Sequence, residues 1–202
     1  MIKLFVSPFN YSLDKLYQKE EGEILIGVDK AAYRVLKSGI PLDYALGDFD
    51  SVNAQEKKYI ETHAKKVEHF PVRKDKTDSD LALSKALAID PSAEIIMYGG
   101  LGSRLDHTYG NLLMLRRGRV TIRTDHHMAR VLTPGSHSIE NPHAYISFFA
   151  VEPVKSLTLK GFSYELEAYD LDPTDPLCIS NQGSGEVTFE KGRLLVLASD
   201  DQ

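Results

Sequence analysis

A pair of aspartates is the feature of this sequence that most directly suggests chemistry. Asp48 and Asp50 flank Phe49 in the segment GDFDS, directly after the apolar run of a predicted strand. At this spacing both carboxylates can reach one hard cation through oxygen ligands. A solvated turn is the structural alternative, but the position at a strand end and the apolar residue between the acids favour a metal site.

A second acidic segment, KDKTDSD, contains Asp75, Asp78 and Asp80. The last two stand where a helix is predicted to begin, and the helix macrodipole also favours acids there. We assign Asp80 to that role, whereas the spacing of Asp78 fits helix capping and metal binding equally well. Carboxylates without a cysteine or histidine cluster suit Mg²⁺ rather than Zn²⁺. Since Mg²⁺ usually binds one or two carboxylates together with substrate phosphates, the acids indicate phosphate transfer.

A glycine-rich segment at 99–104, GGLGSR, supports this interpretation. Glycines let the backbone approach a phosphate and present N–H groups to it, although the segment lacks the Gly-Lys-Ser/Thr of a Walker motif. Arg104, followed by Asp106, is suited to clamping phosphate because a guanidinium binds two oxygens at once. Lys74 and Lys76 could also meet phosphate, or could equally be solvated partners of the neighbouring acids.

Histidines near these motifs are less informative. Asp125-His126-His127 is similar to phosphoesterase signatures, but a three-residue match at a predicted domain joint favours a structural role. His107 follows the glycine segment, and its position fits an exposed helix surface or the rim of a site.

Predicted strands place the motifs together. Asp29 follows ILIGV, Asp48 follows DYALG, and the glycine segment follows IIMY. In open α/β sheets, ligands bind beyond the carboxyl ends of the strands. We therefore expect all three motifs to face one crevice.

Short apolar runs alternate with helical patterns over the first 120 or so residues, which predicts a mostly parallel, Rossmann-like sheet covered by helices. A helix beginning near Asn53, with Glu56 three residues on, has the pattern of a capping box. The predicted strands are 2–6, 24–28, 44–46, 67–70, 95–98 and 120–122, and the other predicted helices are 31–37, 78–88 and 104–116.

The pattern changes after about residue 124. Short alternating segments at 147–151, 157–159, 186–189 and 194–197 are separated by turns rich in proline and glycine. This pattern predicts a small antiparallel β domain, a sandwich or an open barrel. We therefore divide the chain into an α/β domain at 1–124 and a β-sandwich domain at 125–202.

Composition excludes several classes of protein. The chain has 202 residues, of which 42% are hydrophobic, enough for a packed core. A net charge of -5 argues against a protein that coats nucleic acid. The single cysteine, Cys178, excludes an intramolecular disulfide, and no stretch resembles a signal peptide or a membrane span. We expect a cytoplasmic protein that binds neither nucleic acid nor membrane.

Several segments together resemble the thiamine pyrophosphokinase family. The resemblance covers most of the first domain in the right order and is thin in the second. It is carried by VD at 28–29, GIPLDY at 39–44, GDFDS at 47–51, DKTDSDLAL at 75–83, GGLGSRLDH at 99–107, NLL at 111–113 and SN at 180–181.

The resemblance implies transfer of the pyrophosphoryl group of ATP to the hydroxyl of thiamine, giving thiamine diphosphate and AMP. It implies a homodimer with sites at the subunit interface, an α/β domain for ATP and metal, and a β-sandwich that helps to hold thiamine. Asp48, Asp50 and Asp78 would bind Mg²⁺, while Arg104 and Asp106 would contact the nucleotide phosphates and the reacting region. Substrate-binding residues would be Asp29, Lys74, Asp75, Thr77, Gly100 and Gly102, with Ser180 and Asn181 in the thiamine pocket.

Two departures from the family pattern stand out. Lys30-Ala31 replaces two small residues found in many members, and the chain has no tryptophan, which some relatives place near thiamine. Stacking on the cationic ring would therefore come from a tyrosine or a phenylalanine, or be absent. The proton acceptor for the alcohol stays open between Asp78 and Asp106.

Two other functions are compatible with the same residues. A Mg²⁺-dependent phosphohydrolase could use the acids to activate water, and would release AMP without thiamine. A non-catalytic thiamine or nucleotide sensor would bind its ligand tightly without turnover.

Overall fold

The chain folds into a mixed α/β structure, described here by a computed structural model for residues 1–71 and 75–201. It divides into two compact units, Met1–Asp125 and His126–Gln202. No helix among the described residues is long and apolar enough to cross a membrane.

The first unit contains a parallel sheet in the order β4-β3-β2-β1-β5-β6, and each neighbouring pair of strands is parallel. Its central strands are buried along most of their length, as expected where helices cover both faces of a sheet. The strands are β1 (Ile2–Phe5), β2 (Ile24–Val28), β3 (Tyr44–Gly47), β4 (Lys66–His69), β5 (Glu94–Tyr98) and β6 (Arg119–Arg123). Each agrees with its predicted range to within one residue.

The four predicted helices of this unit begin within one residue of the expected position, whereas the short helix α1 was not predicted. At α3, the Asn53 side chain accepts the N–H groups of Gln55 and Glu56, and the Glu56 carboxylate accepts the N–H of Asn53, so the predicted capping box is present. The apolar face of α4 is buried at Ala82, Leu83 and Ala86. The helices are α1 (Leu13–Leu16), α2 (Lys30–Lys37), α3 (Ala54–His63), α4 (Asp78–Ile89) and α5 (Leu105–Met114).

The strand order creates a crevice at one edge of the sheet. From β1 the chain moves outward through β2, β3 and β4, and then crosses to β5 on the other side of β1. The loops that follow β1 and β5 therefore leave the sheet in opposite directions, which opens a crevice at their carboxyl ends. The loops that border this crevice are residues 6–12, after β1, and residues 99–104, after β5.

The second unit is antiparallel, with strands in the order β7-β12-β9-β11-β8 and with β10 also paired to β9. β9 is continuous over sixteen residues: its first part pairs with β12 and its last part with β10 and β11. The sequence predicted two short strands there, because Glu152–Lys155, with Pro153, interrupts the apolar alternation. The strands are β7 (His127–Leu132), β8 (Gly135–Ile139), β9 (Tyr145–Lys160), β10 (Leu166–Leu171), β11 (Gly185–Phe189) and β12 (Lys191–Ser199).

Candidate active site

Asp29 occupies a constrained position between β2 and α2. Its backbone has φ 48 and ψ -124, and its N–H donates to the carbonyl of Leu46 at 2.9 Å. Oδ1 of Asp29 accepts the N–H of Phe49 at 3.1 Å, while the side chain makes no capping bond to α2. Asp29 is therefore directed across the sheet edge towards the acidic turn after β3.

Two non-acidic residues shape that acidic turn. Gly47 ends β3, and a Cβ atom there would lie 1.8 Å from Oδ1 of Asp29, so the close approach requires glycine. Phe49 is buried with φ 58, and its ring meets the ring of His69 edge-on at 5.1 Å. Burial of Phe49 leaves the flanking Asp48 and Asp50 outside the core.

Three carboxylates converge at the ends of these elements. Within the described residues, one oxygen from each of Asp29, Asp48 and Asp78 lies within 4.8 Å of the others, and each residue is partly buried. The sequence predicted Asp48 and Asp78 as metal ligands and Asp29 as a substrate-binding residue. The structure thus brings three of the predicted site residues into one group.

Asp50 lies outside this group. It is exposed, and its N–H donates to Oδ1 of Asp48 at 3.2 Å. Its role as a metal ligand stays a prediction.

At the beginning of α4, Asp78 and Asp80 have different surroundings and different roles. Thr77 is the N-cap, and its Oγ1 accepts the N–H of Asp80 at 3.2 Å. The carboxylate of Asp80 pairs with Arg117 and accepts the Ser84 hydroxyl at 3.3 Å. Asp80 therefore has a structural role, whereas Asp78 belongs to the carboxylate group.

The donor set of this group fits Mg²⁺. Mg–O distances of about 2.0–2.1 Å place neighbouring ligand oxygens about 2.9 Å apart and opposite ones about 4.2 Å apart. The three oxygens lie within 4.8 Å of one another, so the carboxylates would have to move closer together to share one ion. Three carboxylates without nitrogen or sulfur are also the ligand type that a hard cation prefers.

A cleft of about 430 Å³ surrounds the group. Asp75 and Thr77, both predicted to bind substrate, line this cleft, and so does His107, which places that histidine at the rim of the site. The remaining lining residues are Ser7, Val28, Asp29, Asp48, Lys76, Asp78 and Ser79. Lys74 lies outside the described residues.

Arg104 and Asp106 form an exposed ion pair instead of lining the cleft. Nη2 and Nε of Arg104 donate to the two carboxylate oxygens of Asp106 at 2.6 and 3.2 Å. The guanidinium holds the pKa of the Asp106 carboxyl below its ordinary value. A phosphate that binds Arg104 must therefore compete with, or share the guanidinium with, Asp106.

The glycine segment is a left-handed turn, with φ 94 at Gly99, 81 at Gly100 and 75 at Gly102. A Cβ at Gly99 would lie 2.4 Å from the carbonyl oxygen of Val6. The turn is therefore packed against the loop that follows β1, as the predicted crevice requires.

In the second unit, the amide of Asn181 binds the backbone of Tyr164. Oδ1 accepts the Tyr164 N–H at 2.9 Å, and Nδ2 donates to the Tyr164 carbonyl at 2.7 Å, so buried Asn181 acts as a strand-like partner. Tyr164 is 69% exposed, and Leu177 and Ile179 of the same unit are also large apolar residues with exposed side chains. Ser180 is exposed and has φ 59.

Comparison with known proteins identifies the family. Residues 15–128 match the model of the thiamin pyrophosphokinase catalytic domain, and residues 136–194 match the model of the thiamin pyrophosphokinase vitamin B1 binding domain. The chain belongs to the thiamine pyrophosphokinase family. The thiamine pyrophosphokinase of Bacillus subtilis (strain 168) is 35% identical over 205 residues, which cover 96% of this chain and 95% of the relative.

Solved structures of the thiamine pyrophosphokinase family share the fold over the whole chain. The crystal structure of the Bacillus subtilis enzyme has a TM-score of 0.87 at 33% identity and covers 100% of this chain and 99% of its own. A family protein from Enterococcus faecalis has a TM-score of 0.83 at 27% identity, with the same coverage. The family resemblance drawn from GDFDS, DKTDSD and GSRLDH is thereby confirmed.

Some residues of interest in this thiamine pyrophosphokinase family member were missed by sequence reasoning. The exposed Tyr164 was not singled out because a lone tyrosine in a loop has no distinctive pattern. Asn10 and Asn111 contact the glycine turn through their side chains. Asn111 was part of the NLL segment that carries the family resemblance, but the sequence assigned it no role.

Proposed function

We propose that the protein transfers the pyrophosphoryl group of ATP to the hydroxyl of thiamine, forming thiamine diphosphate and AMP. The observation that carries the proposal is the group of Asp29, Asp48 and Asp78 in a cleft at the carboxyl ends of the strands, in a chain of this family. Three acids held this close disfavour one another's ionised form unless a cation is bound. A cleft built in this way suits a metal-bound polyphosphate.

Asp48 and Asp78, with Asp29 beside them, would hold Mg²⁺. When bound, the ion would supply positive charge to the phosphate oxygens of ATP. The protein's contribution is positional: the Phe49 N–H and the space at Gly47 fix Asp29, and Thr77 fixes the first turn of α4. Asp50 would join from the exposed side of the same turn.

The transfer itself forms a bond between the thiamine hydroxyl oxygen and the β-phosphorus, and breaks the bond from the β-phosphorus to the oxygen bridging to the α-phosphorus. The electron pair of that bond leaves with AMP, and the hydroxyl proton must pass to a base. Asp106 is a weak acceptor while Arg104 lowers its pKa. We take Asp78, the other candidate, as the proton acceptor because it lines the cleft. Arg104 would turn from Asp106 to the phosphates as charge builds up on them.

The second unit would bind thiamine. We infer that it is the β-sandwich domain at 125–202 and that residues 1–124 form a Rossmann-like ATP domain. Tyr164 is an exposed aromatic side chain whose backbone is fixed on both sides by Asn181, and it can stack on a cationic ring. Tyr164 would take the stacking role of the tryptophan that some relatives place near thiamine. Ser180, which precedes Asn181 in the chain, would also contribute to the pocket.

A homodimer is the assembly that we propose. Leu105, Tyr109 and Leu113 of α5 are 83%, 63% and 47% exposed, and their spacing of four residues places them on one helix face. Such a stripe of large apolar side chains is a feature of protein interfaces. A second copy of the chain is the occupant that the proposed shared sites require.

The proposed function is tested by a product assay with purified protein, ATP, Mg²⁺ and thiamine. We expect AMP and thiamine diphosphate in equal amounts, and no AMP without thiamine. AMP release in the absence of thiamine would instead support a phosphohydrolase, and tight thiamine binding without any product would support a sensor.

A further inference from the structure

Two asparagine amides hold the carbonyl groups of the glycine turn. Nδ2 of Asn111, on α5, donates to the carbonyl of Gly100 at 2.6 Å. Nδ2 of Asn10, in the loop after β1, donates to the carbonyl of Leu101 at 2.8 Å. Two successive peptide groups of the turn are therefore oriented by side chains from two different elements.

The contact of Asn111 is tight and buried. Asn111 is 6% exposed, and a Cβ atom at Gly100 would lie 3.0 Å from its Nδ2. The glycine thus lets the amide sit directly beneath the turn. In such a dry environment a hydrogen bond is strong, and a lost partner is costly.

Holding a carbonyl also fixes the N–H of the same peptide group. In a trans peptide, the C=O and N–H bonds point in opposite directions, and the cis peptide in the described residues is Ser7-Pro8. Because Asn111 holds the Gly100 carbonyl towards the buried side of α5, the Leu101 N–H points away from it. The next N–H along, that of Gly102, is directed to Oγ1 of Thr108 at 3.2 Å.

Asn10 is anchored as firmly as the turn that it contacts. Its carbonyl accepts the N–H of Asp125 at 2.9 Å, and the Asp125 carboxylate accepts the N–H and hydroxyl of Ser12 at 2.8 and 2.7 Å. Within the described residues, Oδ1 of Asn10 is buried without a hydrogen-bond partner. An unpaired buried acceptor destabilises the fold, so stability alone does not account for an asparagine here.

We propose that Asn111 and Asn10 are positioning residues for the nucleotide: they fix the Gly100 and Leu101 peptide groups so that the Leu101 N–H is presented to the phosphates of ATP, while Thr108 holds the Gly102 N–H. The proposal rests on the proposed function and extends it to two residues that do not touch the substrates. The turn stands where β1 and β5 diverge, which is where such sheets bind ligands. Backbone N–H groups of a glycine turn form an anion site when their carbonyls are held on the other side.

The test uses Asn111→Asp, which keeps the side-chain shape but replaces the amide donor with an oxygen that repels the Gly100 carbonyl. We expect the KM for ATP to rise about tenfold or more, and binding of a non-hydrolysable ATP analogue, measured by calorimetry, to weaken equally. The KM for thiamine should stay within about twofold, a split that general unfolding would not produce. Asn141→Asp makes the same chemical change in the second unit, where Asn141 accepts the His143 N–H, and should leave both KM values unchanged.

A second variant covers the case in which Asn111→Asp does not fold. Asn10→Ala removes the bond to Leu101 without adding charge, and the same criteria apply to it. Wild-type affinity for the analogue in the folded variants would overturn the proposal. Weaker analogue binding in a protein that makes no thiamine diphosphate would support the positioning role while contradicting the proposed function, and a wild-type protein that binds no nucleotide would overturn both.

Discussion

Oδ1 of Asp29, at the end of β2, accepts the backbone N–H of Phe49, in the turn after β3, at 3.1 Å. This one bond joins two neighbouring strand ends and sets Asp29 beside Asp48. Asp78 reaches the same place from the first turn of α4. The carboxylate group is therefore a product of strand order and of one constrained turn.

Gly47 should be indispensable to that arrangement. In Gly47→Ala the new Cβ would meet Oδ1 of Asp29 at 1.8 Å in a backbone conformation that alanine disfavours. We expect activity to fall at least tenfold and the free energy of unfolding to fall by roughly 1–3 kcal/mol. Gly110→Ala is the matched control, because a Cβ in the middle of α5 meets nothing within 4 Å and should leave both properties unchanged or raise stability slightly. A fully active Gly47→Ala enzyme would show that Asp29 is not held as described.

Asp48→Asn should lower turnover at least tenfold at low Mg²⁺ and recover partly when Mg²⁺ is raised. The amide keeps the shape of the side chain but is a poor ligand for a hard cation. The reaction rate is measured against Mg²⁺ concentration for Asp48→Asn and for Asp50→Asn. The sequence predicts the same tenfold loss for Asp50→Asn. Near wild-type rates of Asp48→Asn at low Mg²⁺ would remove Asp48 from the metal site, and the same result for Asp50→Asn would assign the ion to Asp29, Asp48 and Asp78.

Much of the fold could be predicted because the chain alternates clear strand and helix patterns. The acids in GDFDS and KDKTDSD could be predicted as site residues for the same reason, because each segment adjoins a recognisable strand or helix. β7, β8 and β10 carry weak alternation, as in GSHSI, and were missed. The contacts of Asn10 and Asn181 depend on which loops meet in three dimensions, and no local pattern contains that information.

Arg104 should act on the nucleotide and not on folding. We expect Arg104→Lys to lose much of the activity, and Arg104→Ala to lose roughly ten- to a hundredfold in kcat/KM for ATP, because only the guanidinium can grip two phosphate oxygens at once. The melting temperature should change little, since the pair with Asp106 is exposed. Wild-type kinetics in both variants would show that the pair is only a surface ion pair.

The apolar stripe of α5 should control assembly. Leu113→Glu places a charge at the C-terminal end of the proposed contact, and we expect light scattering to report a shift from dimer to monomer with a loss of activity. Thr62→Glu, on the exposed side of α3, is the control and should leave the mass unchanged. An active wild-type monomer would remove the shared-site dimer.

The fate of the β-phosphate tests the proposed function most directly. ATP labelled with ³²P at the β position is incubated with the enzyme, Mg²⁺ and thiamine, and the products are separated. We expect all transferred label in thiamine diphosphate, an equal amount of unlabelled AMP, and no release of label without thiamine. Labelled ADP as the product, or labelled pyrophosphate formed without thiamine, would contradict pyrophosphoryl transfer by this protein.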